Sequence, residues 1–449
     1  MKRLIPLLFL FTLFMGSCSN ITDTSSLPHS PSTLPGSSSD TTSPICPPKS
    51  DLAHPPSSGP ITLTVRGWSS TTAESNLVLA ILNDFQKLHP SIKLNWISLT
   101  GNYEDKMSLL NAKNQLPDVF FISPSMASTY ISKQKLLNLT PYMQRDHVQT
   151  SSYDPFLFTP FMCKDTVYAI PKDWSTLGLV YNKTLFRQAG LAFPDATWTW
   201  NTLRNAALKL TNLSTHDTSR YGISLPDDAS RWLAFLFANG GSVLDASQTK
   251  AVFNSPNAIA ALDFYSSMQL QDHSSVLPVS LNDSWPGQPF GEQRTAMVIE
   301  GSWLIPFMSE NYPQVDYGIA PLPMGPQHKR ANLLFTNAWA ASASTKYPEA
   351  SWELIQYLTS MVAQTRILHS GLALPSLASL AHDPSIQQSS KIKALFEALP
   401  YSTLDYYGTE DTFIHNHIHL ALQNVLQGQM SAQDALNDAV SQVDSKLSP

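Results

Sequence analysis

ITLTVRGW, residues 61–68, decides the fold class. Its β-branched and aliphatic residues alternate with a period of two, the pattern of a strand whose faces meet different surroundings, and it stops at Gly67 and Trp68. A helix follows, because Leu77, Val78, Ile81, Leu82, Phe85 and Leu88 recur at helical spacing until His89-Pro90 ends it. Residues 92–99 read as a second strand, a helix passes through Met107 and Leu110, and DVFFI, residues 118–122, is a third strand. Strand and helix in alternation predict an α/β architecture with a mainly parallel sheet. In such sheets ligands collect beyond the carboxyl ends of the strands, where loops diverge and helix N-termini point inward. The residues to watch are therefore Trp68-Ser69-Ser70 after the first strand, Ser123-Pro124-Ser125 after the third, and Glu300-Gly301-Ser302-Trp303 after the apolar run AMVI, residues 296–299.

The chain has 449 residues, more than one hydrophobic core usually serves, which favours two domains or one two-lobed body. Charged residues make up only 14% and aromatics 10%, a balance suited to uncharged ligands. The formal charge of −6 would become about −8 without Lys2 and Arg3, so no basic field exists to attract nucleic acid. Cys18, Cys46 and Cys163 are not spaced for a zinc site or a disulfide framework, and a Cys46–Cys163 pair is disfavoured because one member lies in a tether.

That tether follows an export signal. Lys2 and Arg3 precede an apolar run from Leu4 to Phe14, too short to span a bilayer comfortably, and then Met15-Gly16-Ser17-Cys18. Gly16-Ser17-Cys18 resembles a bacterial lipobox, in which the cysteine is lipidated and becomes the first mature residue; a plain secretory signal with a chance cysteine is the alternative. Residues 19–60 hold 26 Ser, Thr or Pro among 42, too little apolar surface to fold, and read as a disordered tether. As a flexible coil it would reach about 35 Å.

Beyond it, LPDVFFISPSMAS, YAIPKDWSTLGLVYNKTLFRQAGL with TWTWNTL, YGISLPDDASRWLAFLFANGG, FGEQRTAMVIEGSW, YGIAPLPMGP, the TNAWAASAST to SWELIQYLTS segment and GLALPS follow one another. Their order and spacing resemble the extracellular solute-binding proteins of bacterial ABC sugar importers, similar to maltose-binding and multiple-sugar-binding proteins, over nearly all of the chain after Pro60. The resemblance implies a two-lobed periplasmic-binding-protein-like fold of type II, whose discontinuous α/β lobes are joined by a hinge and close on ligand. With crossings near 171–173, 331–335 and 374–377, the chain divides into a signal peptide at 1–18, the tether at 19–60, an N-lobe from 61–172 and 335–376, and a C-lobe from 173–334 and 377–449.

Site residues follow from the same resemblance. Trp303 matches a position where the family stacks tryptophan on a sugar ring, whose apolar C–H face suits a flat indole. Trp339, beside Asn337, is a second stacking candidate, and Trp68 and Trp174 are ligand contacts or core. Asp173, in IPKDW, suits bidentate acceptance from sugar hydroxyls. Asp227 and Asp228 are polar contacts or a helix cap. Ser123, Ser125, Gly301 and Glu300 come instead from the strand ends above, Glu300 as a ligand contact or a strand-end charge, and Tyr406 and Tyr407 would form a late aromatic wall. His415, His417 and His419 form no metal motif, since only the outer two share a helical face and the stripe of Ile414, Ile418, Leu422, Val425 and Leu426 leaves them on the solvated side.

The reading is thus a monomeric, lipid-anchored receptor on the outer face of the bacterial cytoplasmic membrane, or in the periplasm. It captures a sugar or oligosaccharide and hands it to the membrane permease of an ABC transporter, with no catalysis, cofactor, metal or nucleic acid. A polyol phosphate or a peptide is the alternative ligand. An exported glycoside hydrolase is disfavoured, because hydrolysis needs carboxylates on opposite sides of the scissile bond and Asp227 and Asp228 are neighbours.

Overall fold

A computed structural model describes residues 59–69, 71–211 and 220–447. The signal peptide, Cys18, the tether through residue 58 with Cys46, and Ser70 lie outside the described residues. The strands are β1 Ile61–Gly67, β2 Ile92–Ser98, β3 Val119–Ile122, β4 Met162–Cys163, β5 Thr166–Val167, β6 Ala169–Thr176, β7 Gly178–Asn182, β8 Tyr221–Ser224, β9 Ser275–Val276, β10 Thr295–Glu300, β11 Tyr317–Ala320, β12 Asn332–Ala341 and β13 Ser402–Leu404. One sheet has the order β13-β12-β3-β1-β2 with β6 beside β12, and a second has the order β11-β7-β10-β8-β9.

The first strand and helix form as their sequence dictates. Helix α1, Thr72–Leu88, is capped by Thr71, whose side chain accepts from the Glu74 amide, and it buries Val78, Ile81, Leu82 and Phe85 against the sheet. All four residues of β3 are buried, as expected of a strand covered on both faces. Strand β1 ends in glycine because a Cβ on Gly67 would lie 2.5 Å from the Phe121 ring and 2.6 Å from the Trp96 ring.

The sheets are mixed rather than mainly parallel. β1 pairs parallel with β2 and β3, and β8 with β9 and β10, but β12 runs antiparallel to β3 and β6, and β7 antiparallel to β10 and β11. The reversed strands are those through which the chain passes between sheets, a feature that local alternation of strand and helix does not encode. β6 and β12 pair from Ala169 opposite Ala340 to Thr176 opposite Leu334, with a bulge between Asn337 and Ala338. Ala338, Trp339 and Ala340 belong to the core around β1–β3, whereas Leu333, on the same strand, belongs to the core around β8 and β10. Asn332 pins this crossing: its amide accepts from the Leu177 N–H at 3.1 Å and donates to the Leu177 carbonyl at 2.7 Å. Residues 374–377 join the same region, with Trp174 and Leu374 exchanging backbone hydrogen bonds of 2.9 and 2.8 Å.

Cys163, in the β4–β5 hairpin, is buried and disulfide-bonded. The remaining cysteines, Cys18 and Cys46, lie outside the described residues. The sequence disfavours a Cys46–Cys163 bridge because Cys46 lies in the tether, and Cys46 is outside the described residues.

Candidate functional site

A cavity of about 530 Å³ opens at the carboxyl ends of β1, β2 and β3. Trp68 and Ser69 reach it from β1, Leu99, Thr100 and Gly101 from β2, Ser123 from β3, and Asn337 from the bulge of β12. Tyr103 and Glu104 enter from the first turn of α2, Tyr103–Ala112, which Asn102 caps. Trp68, half-buried, is braced by Tyr103 at 4.8 Å and by Phe121 at 5.0 Å in an edge-on contact. The Tyr103 hydroxyl donates to the Phe121 carbonyl at 2.8 Å, and burial pushes its pKa well above the usual tyrosine range, so it stays a neutral brace.

Glu104 is the residue that sequence reasoning missed. Its carboxylate accepts from Ser123 Oγ at 2.5 Å and Ser125 Oγ at 3.0 Å, while Ser123 Oγ also accepts from the Met126 amide as N-cap of α3, Pro124–Ser132. The signal that could have found it is the second strand: residues 99–104 follow its carboxyl end as Trp68 follows the first and Ser123 the third. Ser123 and Ser125 thus serve the site partly by holding a carboxylate in it.

The EGSW turn after β10 is fixed at every residue. Glu300 is completely buried, and both carboxylate oxygens accept from Arg231 Nη2 at 2.8 Å; one also accepts from Trp303 Nε1 at 2.6 Å. Gly301 lies against the Trp303 ring. Ser302 donates to Ser175 Oγ on β6 through its amide at 3.0 Å, and its hydroxyl donates to the Leu372 carbonyl at 2.7 Å. Trp303, half-buried, packs against the cores of both lobes and meets the Phe335 ring edge-on at 5.6 Å. Phe335 and Asn337 point to the same side of β12, two residues apart, so this strand links the Trp303 turn to the cavity. Glu300 is neither a ligand contact nor a free strand-end charge, because its oxygens are taken by Arg231 and Trp303.

Several candidates sit elsewhere. Trp339 is 2% exposed and packs on Phe121 at 4.3 Å, so it belongs to the N-lobe core and offers no face to a ligand. Trp174 is 3% exposed and its Nε1 donates to the Pro375 carbonyl at 2.7 Å, which makes it a packing residue of the crossing. Asp173, also buried, spends its carboxylate on the neighbouring Lys172, while its carbonyl accepts from Thr336 Oγ1 at 2.8 Å. Asp228 takes the helix-cap role, accepting from the Ser230 amide at 2.7 Å ahead of the helix Ala229–Ala238. The Asp227 carbonyl accepts from His419 Nδ1 at 2.7 Å. Tyr407 packs against the C-lobe core next to His415, its ring 5.5 Å away, and not against the cavity.

The three histidines are half-buried rather than solvated, and each ring is engaged separately. His417 Nδ1 donates to the Phe413 carbonyl at 2.9 Å. His415 donates from Nδ1 to the Asp411 carbonyl at 3.0 Å and from Nε2 to the Asp405 carboxylate at 2.9 Å. Both nitrogens therefore carry protons and the ring is cationic. Burial opposes that charge, but Asp405 and Asp411 hold the pKa well above the ordinary histidine value. The apolar stripe of this helix is buried as read, from Ile414 to Leu426.

Two α/β lobes joined by crossing strands, with an aromatic and polar cavity at the strand ends of one, define the class of two-lobed ligand-binding proteins with the periplasmic-binding-protein fold. The chain belongs to the bacterial extracellular solute-binding protein family, whose model matches residues 68–365. A relative, the multiple sugar-binding protein of Streptococcus mutans, is 21% identical over 360 residues, covering 74% of this chain and 80% of that protein. The solved structure of an ABC substrate-binding protein from Listeria monocytogenes in complex with cycloalternan matches with a TM-score of 0.80 at 22% identity, over 86% of this chain and 99% of that one. UgpB from Mycobacterium tuberculosis in complex with glycerophosphocholine matches with a TM-score of 0.76 at 17% identity, over 87% of this chain and 98% of that one. These structures share the fold.

Proposed function

We propose that the chain captures a neutral sugar or oligosaccharide between its lobes and hands it to the permease of an ABC importer, performing no chemistry. The observation that carries this reading is the cavity itself. Trp68 supplies a braced aromatic wall, Glu104 an acceptor able to bridge neighbouring hydroxyls, and Ser69, Thr100, Ser123 and Asn337 further hydrogen-bonding groups. Trp303 would close on the opposite face of the ligand, across Phe335 and Asn337. Relatives named for sugar binding favour the same ligand class. A phosphate-bearing ligand such as the one in the mycobacterial structure fits less well: the described residues lining the cavity include no Lys or Arg, and Lys106 at its rim donates to the Thr100 carbonyl.

On this reading the lobes meet where β6, β12 and residues 374–377 cross, with the boundaries 61–172, 173–334, 335–376 and 377–449. Cys18 would carry the lipid that holds the receptor at the outer face of the membrane through the tether. The protein would act as a monomer. Among the described residues no helix is long and apolar enough to cross a membrane.

A thermal-shift screen against maltose, maltotriose, cycloalternan and glycerophosphocholine tests the ligand class, because a ligand selective for the native state raises the melting temperature. Stabilisation by a sugar is expected; stabilisation by glycerophosphocholine alone would overturn it. Release of products from labelled oligosaccharides would overturn the absence of chemistry. Cys18→Ala is expected to free the protein from membranes, and persistent membrane association would refute lipidation.

A further inference from the structure

We infer that Arg231 and Glu300 are positioning residues for Trp303, holding its indole so that a ligand meets the ring face and never the N–H. This rests on the proposed sugar site. Glu300 is fully buried at the end of β10 and bonds Arg231 through both oxygens at 2.8 Å. Its Oε2 accepts the indole N–H at 2.6 Å, a short charge-assisted bond. Arg231 is itself tied down, donating to Ser230 Oγ at 2.7 Å and lying 3.4 Å from the Asp228 carboxylate, with its guanidinium carbon 5.8 Å from the Trp303 ring centroid.

Three further contacts leave the ring one orientation. Gly301 lies directly beneath it, Phe335 meets it edge-on, and Ser302 anchors the turn to β6. A buried ion pair is a poor source of net stability compared with apolar residues of the same volume, so its presence asks for another reason. Fixing one aromatic plane beside the crossing strands supplies it. The N–H being committed, selection among hydroxyl patterns falls to other groups, Glu104 foremost, while Trp303 selects only for an apolar ring face.

The test uses the full chain with ¹⁵N-labelled tryptophan. Trp303→Phe identifies the Trp303 resonance among the ten indole signals by its loss. Glu300→Gln is expected to move that resonance upfield and to speed its exchange with water, and an unmoved resonance would overturn the inference without any ligand. Glu300→Gln should also weaken the tightest-binding of maltose, maltotriose and cycloalternan at least about tenfold. In the Trp303→Phe background the same change should have no further effect; two additive losses would show that Glu300 acts independently and overturn the inference. If Glu300→Gln unfolds, the Arg231→Met/Glu300→Leu double variant removes both charges together, and the same resonance shift and tenfold loss are expected of it. Unchanged binding by Trp303→Ala would instead reject the site, while weakened binding by Trp303→Ala with unchanged binding by Glu300→Gln would reject the positioning alone.

Discussion

Replacing Gly301 by alanine tests how tightly the Trp303 ring is seated. An alanine Cβ would lie 2.4 Å from Cζ3, 2.5 Å from Cη2 and 2.8 Å from Cε3 of Trp303. Carbon atoms rest at about 3.5–4.0 Å, so the ring must retreat by roughly 1 Å. Retreat is opposed by the 2.6 Å bond from Nε1 to Glu300 and by packing against both cores. The backbone at Gly301 is not in the left-handed region, so alanine is tolerated there and the ring contact is isolated as the variable. Overpacking of this size costs about 1–3 kcal/mol, offset by about 0.4–1 kcal/mol from the stiffer unfolded chain. A net loss of about 1–2 kcal/mol is expected in urea unfolding at unchanged slope, with sugar affinity falling about tenfold in calorimetry. Wild-type affinity together with a wild-type unfolding midpoint would refute the seating of the ring against Gly301.

Glu104→Gln keeps the shape of the cavity but removes the charge that Ser123 and Ser125 serve; affinity for the bound sugar should drop about tenfold by calorimetry, and undiminished binding would remove Glu104 from the site. For His415, whose folded pKa lies above its unfolded one, the stabilisation is complete below the ordinary value of about 6.5 and fades as pH rises through the folded pKa. His415→Gln should therefore cost about 2 kcal/mol at pH 6 and less in the alkaline range; a difference independent of pH would contradict the cationic assignment. Peptide mapping without reductant should link Cys163 to Cys46 if Cys18 carries lipid, and a free Cys163 thiol would refute the bond.

What could be read from the sequence follows from how local its causes are. The helix 72–88, its Thr71 cap and the buried strand 119–122 are set by nearest neighbours, and the same local rules pointed to the strand ends Trp68 and Ser123 as cavity walls. The antiparallel insertion of β12 was not legible, because a crossing strand has the same hydrophobic pattern whichever way it enters a sheet. Trp339 and Trp174 show a related limit. Tryptophan serves a core and a binding face equally well, and only the partners, Phe121 for one and the Pro375 carbonyl for the other, decide. Glu300 reads from sequence as a ligand contact or a strand-end charge, because the ion-pair partner that decides between them, Arg231, lies 69 residues earlier in the chain.

The same placement bears on how binding would reach the hinge. A micromolar ligand supplies about 8 kcal/mol, and moving a two-state hinge from 1:99 to 99:1 needs about 5.5 kcal/mol of preference for one state. Such preference arises only if ligand contacts differ between states, so the contacts must lie on elements that move relative to each other. Glu104, Ser123 and Trp68 stand on the N-lobe strands. Trp303 stands on a turn bonded through Ser302 to Ser175 of β6 and packed on Phe335 of β12, the two strands at which the lobes are proposed to meet. A sugar held between these groups would therefore bear on the crossing strands themselves, whereas a ligand confined to the N-lobe cavity would leave the hinge equilibrium unchanged.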